Sequence, residues 1–251
     1  MLIINDFKKD GFEIIPILDI NDLSKLEKCL IEKIEGQFPK SGQINSLNKF
    51  HKLKIDSAIE KSVLSPFNRF IKLPQNISLK IKRNKNVRDA LNFIQKKNSE
   101  PMIFLGSSHN ENNKFKVNYG AFRLVKPHSA ISGVHQDSIE IVENLSNNYI
   151  SLWIPIKGFS SLETLNVYPK SHLYKHPHEE IINDNYLAKS YSKEYLKNFK
   201  SYRPNLKEGE LIVFGPNLLH GRSYNLSKNT RCSLELRICD ENVIPESLKE
   251  Y

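Results

Sequence analysis

The sequence predicts a mainly β protein with helices, an α+β fold in which N-terminal helices pack outside a double-sheet or barrel-like core. Before about residue 100 the apolar residues recur with helical spacing, and after it they alternate as they do in strands. Eight short candidate strands, separated by turn-forming residues, follow that change, which is typical of a fold that encloses a site. A chain of 251 residues can bury one substantial core, so we expect a single domain over residues 1–251.

The first hundred residues are expected to form the helical support of that domain. Residues 11–16 have the composition of a short strand, and a helix capped by Asn21 or Asp22 follows it and ends at Gly36. The apolar face of this helix has the spacing of three and four residues: Leu23, Leu26, Leu30 and Ile34. We expect a further helix around residues 55–64. The last helix of this region has the apolar residues Val87, Leu91 and Ile94 on one face.

Residues 101–251 are expected to form the core, with an insertion at about residues 173–207. The candidate strands are residues 102–105, 115–125, 134–137, 149–156, 163–168, 210–214, 218–222 and 231–239. The insertion is polar and rich in tyrosine, and we expect it to be helical around residues 178–182 and 192–196. Because it lies between two core strands, it is a candidate lid or rim over a site.

The formal net charge of +9 is compatible with nucleic acid or an anionic substrate as a partner. The lysines are scattered among asparagines and isoleucines, and the densest basic stretch, residues 80–85, has no interleaved aromatic residues for base stacking. We therefore expect a solvated basic surface and no nucleic-acid partner. A nucleic-acid binder remains an alternative, and it would show steeply salt-dependent binding.

The sequence contains no apolar run that reaches the roughly 18 residues of a membrane-spanning helix. Its first residues also lack the order of charged and apolar segments that a secretory signal has. Cys29, Cys232 and Cys239 have no short metal-binding spacing, and the last two point to opposite faces of one candidate strand. We expect reduced thiols, no membrane contact and a cytoplasmic protein, whose oligomeric state the sequence does not fix.

Residues 133–138 contain the first candidate metal ligands. Alternate side chains of an extended chain share a face, so His135 and Asp137 leave the same side of their strand. A second imidazole would complete the three-ligand facial set that suits ferrous iron and leaves positions open for oxygen chemistry. His220, at the end of a later apolar run, is the candidate. Arg231 follows eleven residues after it, and its guanidinium could hold the far carboxylate of a keto acid in a two-pronged pair.

Two other interpretations of the histidines remain open. His135 and Asp137 would be an ordinary hydrogen-bonded pair if His220 were only a loop histidine. A zinc site is the second alternative, on the closely spaced residues His172, His176 and His178. No cysteine or acid pair lies near enough in the sequence to complete such a site.

The same residues carry a resemblance that covers most of the chain. The chain resembles the iron(II)- and 2-oxoglutarate-dependent dioxygenases, and within them the phytanoyl-CoA hydroxylase-like family. The matching segments are Phe7…Gly11-Phe12-Glu13-Ile14-Ile15, His135-Gln136-Asp137, Trp153-Ile154-Pro155, Thr164-Leu165…Pro169-Lys170-Ser171-His172 and His220-Gly221…Arg231. Lys170 stands where the family usually has a glycine.

The resemblance implies a double-stranded β-helix, the jelly-roll core, in which His135, Asp137 and His220 bind iron(II). It also implies that 2-oxoglutarate is the co-substrate and that Arg231 binds its C5 carboxylate. Trp153 matches an aromatic residue that lines the co-substrate pocket in the family.

One position departs from the family's pattern. Relatives commonly have a small hydroxyl residue two places after the distal histidine, and Arg222 stands at that place here. The adjacent Ser223 is therefore the candidate for the second contact to the co-substrate carboxylate.

Tyr119 and Arg123, on the strand before His135, are the candidate substrate-binding residues. Arg123 could meet an anionic substrate at the mouth of the pocket or could form a surface salt bridge. The resemblance implies oxygen-dependent hydroxylation of a small metabolite of sugar, nucleotide-linked or acyl type. Asp137 disfavours halogenation, because related halogenases lack this acid. The alternative is a non-catalytic metal- or ligand-binding protein with the same jelly roll.

Overall fold

The computed structural model describes most of the chain. The described residues are 6–37, 44, 46–53, 69–105, 114–129, 133–137, 145, 147–158, 160, 163–176, 180–183, 186–189, 191–221 and 224–251. The helix expected around residues 55–64 lies outside them, as do His178 and Ser223.

The order of elements follows the change of periodicity near residue 100. The α-helices of the described residues are Phe7–Asp10 (α1), Ile20–Gln37 (α2), Gln75–Arg83 (α3), Lys85–Gln95 (α4) and Lys193–Leu196 (α5). Short 3-10 helices are formed by Leu47–Lys52, Ser171–Leu173 and Glu246–Leu248. The strands are Phe12–Pro16 (β1), Phe70–Lys72 (β2), Pro101–Leu105 (β3), Phe115–Val117 (β4), Tyr119–Val125 (β5), Val134–His135 (β6), Tyr149–Lys157 (β7), Asn166–Val167 (β8), Glu180–Asn183 (β9), Tyr186–Lys189 (β10), Glu210–Phe214 (β11), His220–Gly221 (β12), Arg231–Asp240 (β13) and Lys249–Glu250 (β14).

The cap of helix α2 is Asp19, and not Asn21 or Asp22 as predicted. Oδ1 of Asp19 accepts hydrogen bonds from the amides of Asn21 at 2.9 Å and Asp22 at 3.0 Å. In return, Oδ2 of Asp22 accepts from the Asp19 amide at 3.2 Å. Each of the two side chains thus accepts a hydrogen bond from the backbone amide of the other residue, as in a capping box. The helix continues through Gly36 to Gln37.

Two facing sheets form the core. In the described part of the chain, nine strands make the larger sheet, in the order β1-β11-β7-β13-β3-β4-β14, with β5 beside β13 and β2 beside β5. Strands β6, β12 and β8 make a smaller sheet. Trp153 and Phe214 of the larger sheet share one apolar cluster with Val167 of the smaller one, so the two sheets pack face to face. The prediction of a mainly β core with helices outside it is confirmed.

Strand β13 has one face packed against the N-terminal helices and the opposite face directed towards the smaller sheet. Its even-numbered residues Cys232, Leu234, Leu236 and Ile238 belong to one apolar core cluster with residues of α2, α3 and α4. Successive residues of a strand point to opposite faces. The odd-numbered residues Arg231, Ser233, Glu235 and Arg237 therefore face the space between the two sheets.

Five strand or helix predictions needed correction. The strand expected over residues 115–125 is broken at Asn118, whose φ of 61° lies in the left-handed region. Residues 178–182 were expected to be helical, but Glu180–Asn183 pairs with Tyr186–Lys189 as a hairpin. The strands expected over 134–137, 163–168 and 218–222 are each only two residues long.

Lys170, at the position where the family usually has glycine, adopts a backbone conformation that favours glycine. Its φ is 67°, a left-handed conformation that glycine adopts without strain and other residues adopt at a cost. The Lys170 amide donates to the Asp10 carbonyl at 3.0 Å, which holds this turn against the end of α1.

No helix of the described residues is long and apolar enough to cross a bilayer. The three cysteines are free, and Cys232 and Cys239 belong to different apolar clusters. In the basic stretch at residues 80–85, the Lys80 ammonium lies 2.9 Å from Oδ2 of Asp19 and 2.5 Å from Oδ2 of Asp22. The absence of a nucleic-acid partner stays a prediction.

Replacing Leu30 by alanine is expected to destabilise the domain. Leu30 is fully buried in α2, and truncating such a side chain leaves a cavity that costs about 2–5 kcal/mol. Urea unfolding measures the change in free energy of unfolding. Lys28→Ala in the same helix is the control, because the Lys28 side chain is 78% exposed and should change stability by at most about 0.5 kcal/mol. Equal losses in the two variants would contradict the assigned helix face.

Candidate metal centre and its pocket

The two candidate imidazoles meet through strand pairing. Strand β12 runs antiparallel to β6, and His220 is the register partner of His135. The two ring centroids are 4.5 Å apart. Residues that are 85 positions apart in the sequence (220 − 135) therefore become direct neighbours on one sheet.

Each imidazole is oriented through its Nδ1 atom. Nδ1 of His135 lies 3.1 Å from the Gly133 carbonyl, and Nδ1 of His220 lies 3.0 Å from the Leu218 carbonyl. A carbonyl can only accept, so each Nδ1 donates its proton and each Nε2 keeps its lone pair. This is the arrangement by which proteins prepare histidine to bind a metal.

Asp137 supplies the third donor atom. Its Oδ1 lies 3.7 Å from Nε2 of His135 and 3.5 Å from Nε2 of His220. The donor atoms of these residues lie within 4.8 Å of one another, and no other histidine, cysteine, aspartate or glutamate group of the described residues forms such a set. Ser151 on β7 donates to Oδ2 of Asp137 at 2.5 Å, which holds one carboxylate oxygen and leaves the other for a metal.

Burial and charge act in opposite directions on these groups. Burial alone would raise the pKa of Asp137, but His220, Arg237 and His135 outweigh it and hold this pKa below its usual value. Burial alone would lower the pKa of His220, but the Asp137 carboxylate raises it above its usual value. Without a metal, the carboxylate is thus stabilised by the positive charge that surrounds it.

Gly221 is required by the close approach of β12 to the turn before His135. Its φ is 120°, and a Cβ atom there would lie 2.5 Å from the Gly133 carbonyl oxygen and 3.2 Å from Nδ1 of His135. The Gly133 carbonyl is the atom that orients the His135 ring. Any larger residue at 221 would push against that hydrogen bond.

The donor atoms line a pocket that is partly open to solvent. Its apolar wall includes Trp153, Leu165 and Phe214. Trp153 is almost fully buried and also belongs to the apolar cluster between the sheets, so it lines the pocket as part of the core. Arg123, one of the two predicted substrate-binding residues, lines the pocket as well.

The remaining predicted residues lie elsewhere. Tyr119 is not among the residues that line the pocket, and its ring packs edge-on against Phe70 at 6.2 Å. Arg231 faces the interior but is also outside the pocket lining, and its Nη1 donates to the Glu163 carbonyl at 2.7 Å. Burial lowers the pKa of Arg231 to about 10. Ser223 is not among the described residues.

Sequence reasoning missed three polar residues of β13, namely Ser233, Glu235 and Arg237. Glu235 accepts two hydrogen bonds from Arg123, from Nε at 2.9 Å and from Nη2 at 2.8 Å. Burial alone would raise the pKa of Glu235, but Arg123 holds it below its usual value. The signal was present in the alternation of the strand, because the polar residues at 231, 233, 235 and 237 alternate with apolar ones.

The insertion is attached to the turn that carries the candidate ligands His135 and Asp137. The Tyr191 amide donates to the Val134 carbonyl at 3.0 Å, and the Tyr191 hydroxyl donates to Oε1 of Gln136 at 3.0 Å. Nε2 of Gln136 in turn donates to the Asn217 carbonyl. Gln136 thus lies buried between His135 and Asp137 with both ends of its amide bound.

The zinc alternative on the later histidines gains no support from the described residues. Nε2 of His176 donates to the Ser171 carbonyl at 2.8 Å, and its Nδ1 accepts from the Tyr195 hydroxyl at 2.6 Å. Nε2 of His172 lies 3.3 Å from the Lys8 carbonyl. Both nitrogens of His176 are therefore used by protein partners.

The sequence profile of the family described as phytanoyl-CoA dioxygenase matches residues 82–233, which is more than half of the chain. No curated protein matches the chain's sequence at a significant level.

Solved structures share the fold. EvdO2 from Micromonospora carbonacea var. aurantiaca, complexed with 2-oxoglutarate, is 16% identical over 98% of this chain and 94% of that chain, with a TM-score of 0.57. EctD from S. alaskensis, with 2-oxoglutarate and 5-hydroxyectoine, is 14% identical over 96% of this chain and 76% of that chain, with a TM-score of 0.56. SnoK, a non-heme alpha ketoglutarate dependent carbocyclase from nogalamycin biosynthesis, is 13% identical over 93% and 81% of the two chains, with a TM-score of 0.54. These likenesses confirm the predicted jelly-roll fold.

Replacing Tyr191 by phenylalanine is expected to weaken binding of a divalent metal about 10-fold, because partners that orient metal ligands typically contribute 10- to 100-fold to affinity. The variant removes only the hydroxyl that holds Gln136. Calorimetric titration with ferrous iron under anaerobic conditions measures the affinity. Tyr174→Phe is the matched control, since Tyr174 lies in the same insertion and is 61% exposed. An unchanged affinity in Tyr191→Phe would show that Gln136 does not position the ligands.

Proposed function

The chain belongs to the phytanoyl-CoA dioxygenase family of iron- and 2-oxoglutarate-dependent oxygenases, and from this premise we propose that it hydroxylates a small, anionic metabolite at an iron centre. His135, Asp137 and His220 bind the iron. The observation that carries the proposal is the convergence of two Nε2 atoms and one carboxylate oxygen within 4.8 Å of one another. Two imidazoles and one carboxylate are the donor set of non-haem ferrous oxygenases, so the residues fit the ion.

The protein's own residues prepare this centre before any reaction. When bound, iron(II) activates oxygen for the oxidative decarboxylation of 2-oxoglutarate to succinate and carbon dioxide, coupled to attack on a substrate C–H bond. The Gly133 and Leu218 carbonyls accept from Nδ1 of the two imidazoles, which leaves both Nε2 atoms directed at the ion. Ser151 keeps Asp137 in place. Trp153 and Phe214 exclude water from one wall of the pocket, which shields a reactive site.

Arg231 and Ser233 are proposed to share the C5 carboxylate of 2-oxoglutarate. Both side chains leave the same face of β13, two residues apart. The Ser233 hydroxyl is fully buried and has no hydrogen-bond partner among the described residues, although buried polar atoms are nearly always paired. Ser233 would thus supply the second contact that Arg222 cannot, a role for which the sequence alone suggested Ser223. The structures of EvdO2 and EctD with bound 2-oxoglutarate support a co-substrate site in this fold.

The substrate is proposed to be anionic because of the charges at the pocket. Arg123 and Arg237 both line it, and the net charge of the chain is +9. Glu235 pairs with Arg123, so Arg237 is the cation of this lining that has no hydrogen-bonded acid among the described residues. A phosphorylated, nucleotide-linked or carboxylated metabolite would fit such a site. Hydroxylation is proposed as the outcome because Asp137 occupies the ligand position that related halogenases leave to a halide.

Replacing Asp137 by alanine is expected to abolish conversion of 2-oxoglutarate to succinate, because the iron loses one of its three protein ligands. Succinate is measured after aerobic incubation with ferrous iron, and the visible charge-transfer band is measured anaerobically. Asp89→Ala, at an exposed residue of α4, should leave both signals unchanged. Iron-dependent turnover that persists in Asp137→Ala would contradict the assigned ligand. A wild-type protein that shows the band without turnover would instead be a binding protein.

Replacing Ser233 by alanine is expected to weaken 2-oxoglutarate binding about 10-fold, since a hydrogen bond to a charged group contributes about 1.5–3 kcal/mol. Iron affinity should not change, because Ser233 is not a ligand. Anaerobic titration of the iron-loaded protein with 2-oxoglutarate measures the dissociation constant. Ser129→Ala is a control away from the pocket lining. If Ser233→Ala binds 2-oxoglutarate as the wild type does, Ser233 makes no contact with it.

A further inference from the structure

Arg237 is a cation beside the candidate metal ligands, and the function proposed above counts its charge without assigning it a bound group. It lines the pocket from β13, where its register partner on β7 is Ser151, the residue that holds Asp137. Nη2 of Arg237 lies 3.9 Å from Oδ1 of Asp137, the carboxylate oxygen that also faces both Nε2 atoms. The guanidinium is therefore adjacent to the space between the three ligand atoms.

The guanidinium of Arg237 makes no hydrogen bond to any described residue. Its Nε atom is buried and unpartnered, and 3.9 Å to Asp137 is too long for a hydrogen bond. The Arg237 side chain is only 16% exposed, so its charge is largely desolvated, and the long ion pair with Asp137 offsets that cost only in part. A planar fork of donors left unused at the edge of a pocket is well suited to a carboxylate or a phosphate.

The neighbouring acids Glu235 and Asp137 form no hydrogen bond with the Arg237 guanidinium. Glu235, two residues away on the same face, already accepts two hydrogen bonds from Arg123. Asp137 is the proposed iron ligand, so its negative charge is committed to the ion. Binding a dication beside Arg237 would leave two positive centres next to each other, which an anion between them would stabilise.

We propose that Arg237 binds a carboxylate or phosphate group next to the metal, so that the anion is shared by the guanidinium and the ion. This inference rests on the proposed iron centre. Two sources can supply such an anion: the carboxylate of 2-oxoglutarate nearest the metal, or an acidic group of the substrate. Both have the same chemistry towards Arg237, and binding measurements separate them.

The experiment compares Arg237→Gln and Arg237→Lys with the wild type. The first variant removes the charge, and the second keeps the charge but loses the planar fork. Arg88→Gln is the matched control, because Arg88 lies on α4 and pairs with Glu100 at 3.4 Å, outside the pocket lining. Calorimetry under anaerobic conditions gives the ferrous-iron affinity. The charge-transfer band then gives the 2-oxoglutarate affinity of the iron-loaded protein, and urea unfolding shows that each variant is folded.

We expect iron to bind Arg237→Gln as tightly as it binds the wild type or more tightly, because a like charge has been removed. If the co-substrate supplies the anion, 2-oxoglutarate binds Arg237→Gln at least 10-fold more weakly, and Arg237→Lys gives an intermediate loss. If the substrate supplies it, 2-oxoglutarate affinity is unchanged. Acetate or inorganic phosphate then binds the wild-type complex with iron and 2-oxoglutarate, and this binding is lost in Arg237→Gln.

Two results would overturn the inference. Iron affinity that falls at least 10-fold in both Arg237 variants would mean that Arg237 only positions Asp137. Unchanged affinity for 2-oxoglutarate, acetate and phosphate in Arg237→Gln would mean that Arg237 binds no anion. Either result leaves the iron centre intact if the wild type binds iron and 2-oxoglutarate. A wild type that binds neither would remove the proposed function and this inference together.

Discussion

The pairing of His220 with His135 is the constraint on which the rest of the site depends. A slip of one residue would turn one imidazole to the opposite face of the smaller sheet, because side chains alternate along a strand. Strands of two residues cannot hold such a register by themselves. Contacts outside the ladder fix it: Gly221 permits the close approach to Gly133, and the Leu219 amide donates to Oγ of Ser171 at 2.9 Å.

Strand β13 shows how the fold tolerates a polar interior. Its inward face has two arginines, a glutamate and a serine, a composition that contributes little to stability and costs desolvation. Its outward face has Leu234, Leu236 and Ile238, all almost fully buried against the N-terminal helices. The strand also pairs with β7 on one side and with β5 and β3 on the other. Apolar burial on one face and backbone pairing on both sides offset the cost of the functional face.

The sequence predicted the parts of the structure that depend on local periodicity. The face of helix α2 and the alternation of the core strands follow from spacing along the chain. Asp137 lies beyond the end of β6, so strand alternation alone does not account for its position beside His135. The break at Asn118 and the hairpin at residues 180–189 depend on backbone conformations that no spacing reveals. The importance of Ser233, Glu235 and Arg237 became visible only when the structure showed which face of β13 is covered by helices.

The insertion was predicted to be a lid or rim. In its described part it forms hydrogen bonds with residues next to His135 and is linked through Ser171 to the residue next to His220. Tyr191 binds Val134 and Gln136 next to His135. His176 links the Tyr195 hydroxyl to the Ser171 carbonyl, and Oγ of Ser171 holds the amide next to His220. Two sets of hydrogen bonds, joined by the stacking of the Tyr191 and Tyr195 rings at 5.3 Å, therefore reach the residues that flank both imidazoles. Because these bonds are buried, moving this segment away from the pocket would break contacts that set the direction of the metal ligands.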